Sequence, residues 1–217
     1  FNIKKVIDPR ISPDGSKVAF TVEQVDLENN RYNTDIYVVS TESGKLVNLT
    51  KDGNSTSPRW SPDGRSIAYI SGRKGGRGIW VIDSRTREKH FLVEYNVKNV
   101  RYIEIGESLC WSPDGSMIAF IASPKSDKSS DQIMVHTKIH YRAAYGFADM
   151  QRMHIFIVPP LGQESAKQIT FGDFDEHSIY WSPDSNDIAI VSNRTGEDDP
   201  GRATPVLIEK ILVEAYE

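Results

Sequence analysis

Carboxylate side chains that could act as a paired general acid and base recur at four places in this 217-residue sequence. Each is an aspartate that follows a Ser-Pro pair, and two such carboxylates brought together can exchange protons with a substrate. Aspartate side chains also hydrogen-bond the backbone of tight turns, and their constant position within one motif favours that structural role. The four residues are Asp14, Asp63, Asp114 and Asp184.

Serine, histidine and aspartate, the residue types of a catalytic triad, are present as well. Asp173, Asp175 and His177 lie within a few residues of one another, in a stretch that we interpret as a loop. No Gly-x-Ser-x-Gly sequence that would present a nucleophilic serine occurs in the chain. We therefore predict no catalytic residue, and we keep His177 as a candidate for binding a substrate or a partner.

Two histidines and one cysteine could hold a metal ion or act as a nucleophile. His136 and His140 are four residues apart, but no cysteine or close carboxylate completes a ligand set, so neither a metal nor a cofactor is predicted. Cys110 stands beside Trp111 in a predicted strand, which is typical of a small core residue. A single cysteine excludes an internal disulfide and favours a reducing compartment, here the cytoplasm.

The element that positions these residues is a repeat built on a four-residue turn. Ser-Pro-Asp-Gly occupies residues 12–15, 61–64 and 112–115, and Ser-Pro-Asp-Ser occupies residues 182–185. Proline presets φ near −65°, and glycine accepts a positive φ, so this turn between two apolar runs predicts a β-hairpin. Intervals of about 50 to 70 residues between copies are typical of propellers and solenoids. Because Ser185 replaces the glycine in the fourth copy, we expect that turn to be relaxed or shifted.

Two further strand-like runs follow each of the first three hairpins, so that a unit supplies four β-strands. One such sheet cannot bury both faces alone, whereas sheets arranged radially cover one another. We therefore predict an all-β fold, a β-propeller of four-stranded antiparallel blades at about residues 1–50, 51–100, 101–172 and 173–217. Residues 206–216 of the last blade are apolar enough for two short strands or one helix. A small residue in each second strand would let the neighbouring sheet approach: Ala19, Ala68, Ala119 and Ala189.

The third unit contains an insertion within residues 124–153, between its second and third strands. Because strands alternate in direction, the insertion should lie on the same face as the loops at 51–57, 94–106 and 171–177. Long loops on a rigid scaffold are common binding sites. The end of the insertion is aromatic and basic, and we predict that three of its side chains contact a peptide carboxylate or a partner domain. These residues are Tyr141, Arg142 and Tyr145.

The composition limits the partners. The net charge is −4 at pH 7 and the pI about 5.8, without a basic stripe. No nucleic acid partner is predicted, because phosphate contacts need clustered lysine and arginine. The apolar runs are far shorter than the roughly 20 residues that span a bilayer, so no membrane segment is predicted.

The repeat resembles that of TolB-like propellers and of the amino-terminal propellers of prolyl oligopeptidase-family serine peptidases. The resemblance is carried by Trp-Ser-Pro-Asp-Gly with Ile-Ala-Phe, and by the Ile-Tyr/Trp-Val and Leu-Thr strands behind them. It covers about residues 7–199, and one ordered series within it is similar to the acylaminoacyl-peptidase branch. That series consists of Tyr141–Gly146, His154–Val158, Gln168–Asp173 and Ser192–Arg194.

The resemblance implies a propeller that restricts access to short or unstructured peptides, followed by an α/β-hydrolase domain with the catalytic serine, aspartate and histidine. No position of this chain matches those catalytic residues. The first hypothesis is therefore a non-catalytic propeller module of a serine peptidase, with the hydrolase domain of the parent protein and short peptides as its partners. The alternative is a free-standing TolB-like propeller that binds proteins. A third, weaker hypothesis is an enzyme using His177 or Arg142 in a central channel. The sequence leaves the oligomeric state open.

Overall fold

The computed structural model describes residues 4–73, 76–95, 107–124, 152–161, 165–192 and 207–212. Within these ranges the chain forms four antiparallel β-sheets and no helix that could span a membrane. The first sheet contains β1 (Lys4–Ile11), β2 (Lys17–Asp26), β3 (Arg31–Ser40) and β4 (Leu46–Asn48). The second contains β5 (Ser55–Trp60), β6 (Ser66–Arg73), β7 (Gly76–Asp83) and β8 (Lys89–Tyr95). The predicted all-β class is confirmed.

The other two sheets follow in chain order. The third contains β9 (Leu109–Trp111), β10 (Ile118–Ala122), β11 (His154–Val158) and β12 (Lys167–Gln168). The fourth contains β13 (Glu176–Trp181), β14 (Asp187–Ser192) and β15 (Leu207–Leu212). Of the two alternatives for residues 206–216, the described part is therefore a strand, which pairs along β14.

Strands within a sheet pair in sequence order, and the first strands of successive sheets contact one another. These first strands are β1, β5, β9 and β13. In β1, β5 and β13 a bulge shifts the register, and the bulged residues Asp8, Ser57 and Ser178 have φ of 52°, 58° and 58°. A bulge re-aims the side chains around it, so each of these strands changes direction just before its turn.

The repeated turn joins the first and second strands of every sheet. In the first sheet the N–H of Gly15, with φ of 73°, donates to the carbonyl oxygen of Ser12 at 2.9 Å. The expectation that the fourth turn would relax is wrong. Ser185 adopts the same left-handed conformation, with φ of 63°, and its N–H donates to the Ser182 oxygen at 3.0 Å. The Ser185 hydroxyl accepts the backbone N–H of Asp114 at 3.1 Å, which offsets a left-handed cost of about 1–2 kcal/mol.

Apolar side chains fill the space between neighbouring sheets and form the core. β6 and β10 are apolar on both faces, so each contributes one face to the preceding sheet and one to the following sheet. Between the second and third sheets Phe120 stacks on Phe156, and Tyr95 packs against both rings. Among the alanines of the second strands, Ala19, Ala68 and Ala119 are fully buried.

Indole groups tie the first three sheets together at their first strands. The Nε1–H of Trp60 donates to the carbonyl oxygen of Arg10 at 3.0 Å, and that of Trp111 donates to the carbonyl oxygen of Arg59 at 3.0 Å. Each tryptophan thus reaches back to the preceding sheet. Within the described ranges the indole N–H of Trp181 reaches no carbonyl oxygen, and its ring packs beside the Cys110 thiol.

Candidate binding site

The candidate binding residues predicted from the sequence fall into two groups. Tyr141, Arg142 and Tyr145 lie outside the described residues, as do His136 and His140. His177 lies in β13, with its Nδ1 2.8 Å from the Ser178 hydroxyl oxygen. Half-burial lowers the pKa of the His177 imidazole, against the opposing charge of Asp175. The Ser178 side chain is buried at a bulge and presents no nucleophile to solvent.

The end of the insertion is held against the loop that precedes β13. Arg152 donates from Nε to Asp173 at 2.8 Å and from Nη1 to Asp175 at 3.1 Å. The backbone N–H of Met153 donates to the other carboxylate oxygen of Asp175 at 2.9 Å. The structure therefore brings together the last residues of the insertion and the loop that contains Asp173 and Asp175.

A buried polar network lies directly beneath these contacts. His154 Nδ1 is 2.7 Å from Glu176 Oε2, and the Thr170 hydroxyl donates to the same oxygen at 3.0 Å. The Thr170 hydroxyl oxygen also accepts the N–H of Ile155 at 2.8 Å. Since buried polar groups need partners, this network fixes β11, β13 and the loop after β12 relative to one another. We call Arg152, His154, Thr170, Asp175 and Glu176 the insertion corner.

The first sheet has a simpler corner at the same position of the repeat. The Thr50 hydroxyl oxygen accepts the N–H of Ile36 at 2.8 Å, and the hydroxyl donates to Asp35 at 3.1 Å. Asp35 also accepts the N–H of Gly53 at 3.2 Å, while burial raises the pKa of its carboxyl. The threonine is thus a repeated structural element, and the His154–Glu176 pair is specific to the corner where the insertion ends.

Four charged residues from three sheets form a closed ring of ion pairs at the first strands. Asp8 and Arg10 belong to β1, Arg59 belongs to β5, and Glu107 precedes β9. Each carboxylate bridges both guanidinium groups through separate oxygens. The nitrogen–oxygen distances are 2.7 Å for Arg10–Asp8 and 2.6 Å for Arg10–Glu107, Arg59–Asp8 and Arg59–Glu107. We call these residues the four-charge cluster.

Three members of the four-charge cluster, Arg10, Arg59 and Glu107, line one side of an open pocket of about 430 Å³ between the first strands. Trp60, Trp111 and Cys110 line it as well. Burial works to lower the pKa of Arg10, but the charges of Asp8 and Glu107 outweigh it and raise the pKa. Arg10 is therefore a cation at neutral pH, and the formal charges of the cluster, two positive and two negative, cancel.

Sequence reasoning missed this cluster. A signal was available, because Arg10 and Arg59 occupy the same position of the repeat, two residues before the turn serine. Their partners could not be identified in the same way. Asp8 lies at a bulge, and Glu107 comes from a third sheet, so their approach depends on how the sheets are packed.

Cys110 takes that same repeat position in the third sheet. Its thiol contacts the carbonyl oxygen of Ile179 at 3.8 Å, and burial raises its pKa to about 12. At neutral pH the thiol is protonated, so it is a poor nucleophile.

The four aspartates of the repeat serve their own turns. In each copy the turn serine hydroxyl donates to the aspartate at 2.5–2.6 Å, and the aspartate accepts the backbone N–H two residues ahead. These hydrogen bonds lower the pKa of every one of these carboxyls, that of Asp14 to about 2. The described ranges hold no group of histidine, cysteine and carboxylate residues suited to a metal ion.

Comparisons with known proteins place this geometry in context. The family model described as "TolB beta propeller domain" matches residues 3–146. The uncharacterized peptidase YuxL of Bacillus subtilis is 29% identical over 95% of this chain, which spans 32% of that relative's length. The acylaminoacyl peptidase of Pyrococcus horikoshii aligns with 87% of this chain and 28% of its own, at a TM-score of 0.64 and 21% identity.

A second solved structure matches the chain from end to end. The β-propeller domain of the trilobed protease from Pyrococcus furiosus covers 100% of this chain and 57% of its own, at a TM-score of 0.62 and 17% identity. The predicted β-propeller fold is confirmed, as is the predicted resemblance to TolB-like and peptidase propellers. The blade limits inferred from the sequence stay predictions.

Proposed function

The chain belongs to the TolB β-propeller domain family, and on that premise we propose that it is the propeller module of a serine peptidase of the acylaminoacyl-peptidase type. In this proposal the chain cleaves no bond itself. It filters short or unstructured peptides for an α/β-hydrolase domain that follows it in the parent protein. A cytoplasmic location remains part of the proposal.

One observation carries the proposal. The similarity to a peptidase extends over 95% of this chain but over only 32% of that relative's length. About two thirds of that relative thus lies outside the region that matches this chain. Within the described ranges, Ser178, which contacts the His177 imidazole, is buried, and the Cys110 thiol is protonated at neutral pH. These features favour a module that supports catalysis carried out elsewhere.

The insertion corner supports a binding role for the loop that it holds. A loop of about 25 residues cannot select a ligand unless its ends are fixed, because ordering it costs conformational entropy. Arg152 and the buried His154–Glu176 pair fix one end on two sheets. The aromatic and basic residues Tyr141, Arg142 and Tyr145 would then meet a peptide carboxylate or the hydrolase domain.

The test compares three proteins on a short acyl-peptide and on a folded protein substrate. The isolated 217-residue chain should cleave neither, and the full-length parent should cleave the short substrate alone. A parent variant that lacks the chain should lose this discrimination, while Arg142→Ala in the parent should raise KM for the short substrate. Cleavage by the isolated chain that disappears in His177→Ala would contradict the proposal and support an enzyme site within the propeller.

The second candidate is a TolB-like propeller that binds other proteins, and the family model itself favours it. The two candidates differ in what the natural gene encodes beyond residue 217. An open reading frame with a Gly-x-Ser-x-Gly sequence supports the peptidase module. A stop codon at that point, with no hydrolase encoded nearby, supports the protein-binding propeller.

A further inference from the structure

We propose that the open pocket between the first strands is a binding site for an extended, proline-containing peptide segment. Its volume of about 430 Å³ lies within the range of about 300–1,000 Å³ that is usual for ligand pockets. The walls are indole and proline rings, and the free polar groups are arginine N–H donors. The site belongs to the chain itself and does not depend on the proposed peptidase role.

The walls of the pocket are apolar rings whose polar groups are already engaged. Trp60, Trp111, Pro13 and Pro62 line it. The indole N–H groups of both tryptophans donate to backbone carbonyl oxygens of the preceding sheet. The rings therefore offer a ligand apolar surface and no hydrogen bond. Aromatic-lined surfaces of this kind are the ones on which proline-rich segments dock.

The free hydrogen-bond donors of the pocket come from two guanidinium groups. Arg10 and Arg59 each use Nε and Nη1 for the carboxylates of the four-charge cluster. The Nη2 group of each arginine has no partner among the residues that the structure describes. Both side chains line the pocket and are partly exposed, at 35% and 12%. A ligand that brings acceptors therefore finds donors in place.

Free side-chain acceptors are missing from the described lining of the pocket. Each oxygen of Asp8 and Glu107 already pairs with one guanidinium nitrogen. The Ser12 hydroxyl is engaged within its own turn, and the Cys110 thiol contacts a backbone carbonyl oxygen. A peptide N–H placed here would lose its hydrogen bonds to water without gaining a side-chain partner, which costs free energy.

This combination of groups matches proline better than other residues. Proline has no backbone N–H, whereas the carbonyl groups on either side of its nitrogen accept hydrogen bonds. Its ring packs on an indole face, and a proline-containing segment is already extended before it binds, so it loses little conformational entropy. An anion is disfavoured, because the charges of the cluster cancel and Glu107 would repel it. The ligand is therefore neutral at the point of contact.

The experiment titrates three peptides into the 217-residue chain and measures binding by isothermal titration calorimetry. The probe is acetyl-Ala-Pro-Pro-Ala-Pro-amide, and its control is the acetylated and amidated alanine peptide of the same length. The third peptide is that alanine peptide with a free carboxylate. The proline peptide should bind at least about tenfold more tightly than either alanine peptide. Equal affinities would overturn the proposal, and preference for the free carboxylate would assign the pocket to anions instead.

Arg10→Lys tests the donors without changing the charge of the cluster. Lysine remains a cation beside Asp8 and Glu107, but it lacks the planar fork and the second terminal nitrogen of arginine. Affinity for the proline peptide should fall about fivefold to tenfold. The matched control is Arg65→Lys, because the Arg65 side chain is 84% exposed and lies outside the pocket. Equal affinities in these two variants would show that the guanidinium donors do not contact the peptide.

Ile11 allows a test in which binding is gained. It lines the pocket, is 65% exposed, and stands where the second and third sheets have Trp60 and Trp111. Ile11→Trp should tighten binding of the proline peptide about threefold or more, and Ile11→Ser should weaken it. Because the side chain is exposed, neither change removes a core contact, and a misfolded variant cannot mimic tighter binding. Unchanged affinity in both variants would contradict a peptide site in this pocket.

Discussion

The first and third sheets fill the same positions of one repeat, yet they are covered differently. Ala119 and Phe120, on opposite faces of β10, are both fully buried, because a sheet lies on either side. Ala19 and Phe20 are their counterparts in β2, and only Ala19 is fully buried. Among the described residues no sheet covers the side of β2 that carries Phe20.

The difference shows that the repeat specifies strands with two apolar faces and that the neighbours decide which face is buried. The fourth sheet shows the opposite case. Ile188 and Ile190 are buried against the third sheet, whereas Ala189 is only partly buried. The same local sequence thus stabilises the protein by different amounts in different sheets, and this can be measured.

The largest loss of stability is expected when the aromatic residue of the second strand is replaced by alanine. Phe120→Ala should lower the free energy of unfolding by about 3–5 kcal/mol, because it leaves a cavity beside Phe156 and Tyr95. Phe20→Ala should cost roughly half as much or less, since its ring is partly solvated. Urea denaturation of both variants checks this, and equal losses would show that the two faces are equally covered.

The threonine corners should follow the same order, with a larger loss of stability in the third sheet than in the first. Thr170→Val removes a hydroxyl that serves Ile155 and Glu176 in a buried site, and should cost about 2–3 kcal/mol. Thr50→Val removes the matching hydroxyl beside the partly solvated Asp35, and should cost about 1 kcal/mol. Denaturation midpoints measured with unchanged m-values test the order, and a larger loss in Thr50→Val would contradict it.

A smaller effect is expected at the fourth turn. Ser185→Ala keeps the left-handed strain but loses the hydroxyl that accepts the Asp114 N–H, so it should cost about 1 kcal/mol. Ser185→Gly loses the same bond but relieves strain of similar size, so its net change should be close to zero. Thermal melting of the two variants separates these contributions. Identical melting temperatures would mean that the left-handed conformation costs nothing here.

The smallest effect concerns the pH dependence of stability, and it should be similar for the turn aspartates of the first and third sheets. The pKa values of Asp14 and Asp114 are lowered by hydrogen bonds within their turns, that of Asp14 to about 2. A folded carboxyl with a lowered pKa binds fewer protons than the unfolded one, so its contribution is complete above pH 3.8. It is lost as the pH falls toward 2. Asp14→Asn and Asp114→Asn should each flatten the decline in melting temperature over this range, and a steeper decline would refute the assignment.

Most of the architecture could be predicted because each strand carries its own local signal. The turn at residues 61–64 and the strand at Gly78–Ile82 are examples of turn chemistry and β-branched content that need no information from elsewhere in the chain. The prediction for Ser185 was wrong for the complementary reason. Its hydroxyl oxygen accepts a backbone N–H some 70 residues away, and a contact of that kind cannot be predicted from the sequence around Ser185.

The candidate site was less accessible to sequence reasoning. The four-charge cluster depends on a bulge at Asp8 and on the packing of three sheets, neither of which the repeat encodes. The His154–Glu176 pair likewise joins two strands that are not hydrogen-bonded to each other. The predicted binding residues of the insertion stay predictions.

The direction of the indole contacts has a consequence for how the protein is made. Trp60 and Trp111 each donate to a carbonyl group of the sheet synthesised before their own. A sheet emerging from the ribosome therefore finds its acceptor already in place. The first sheet carries Ile11 at this position and so has no indole awaiting a later partner. Across the first three sheets, assembly can therefore advance one sheet at a time in the order of synthesis, with Trp60 and Trp111 each bonding to the sheet made before it.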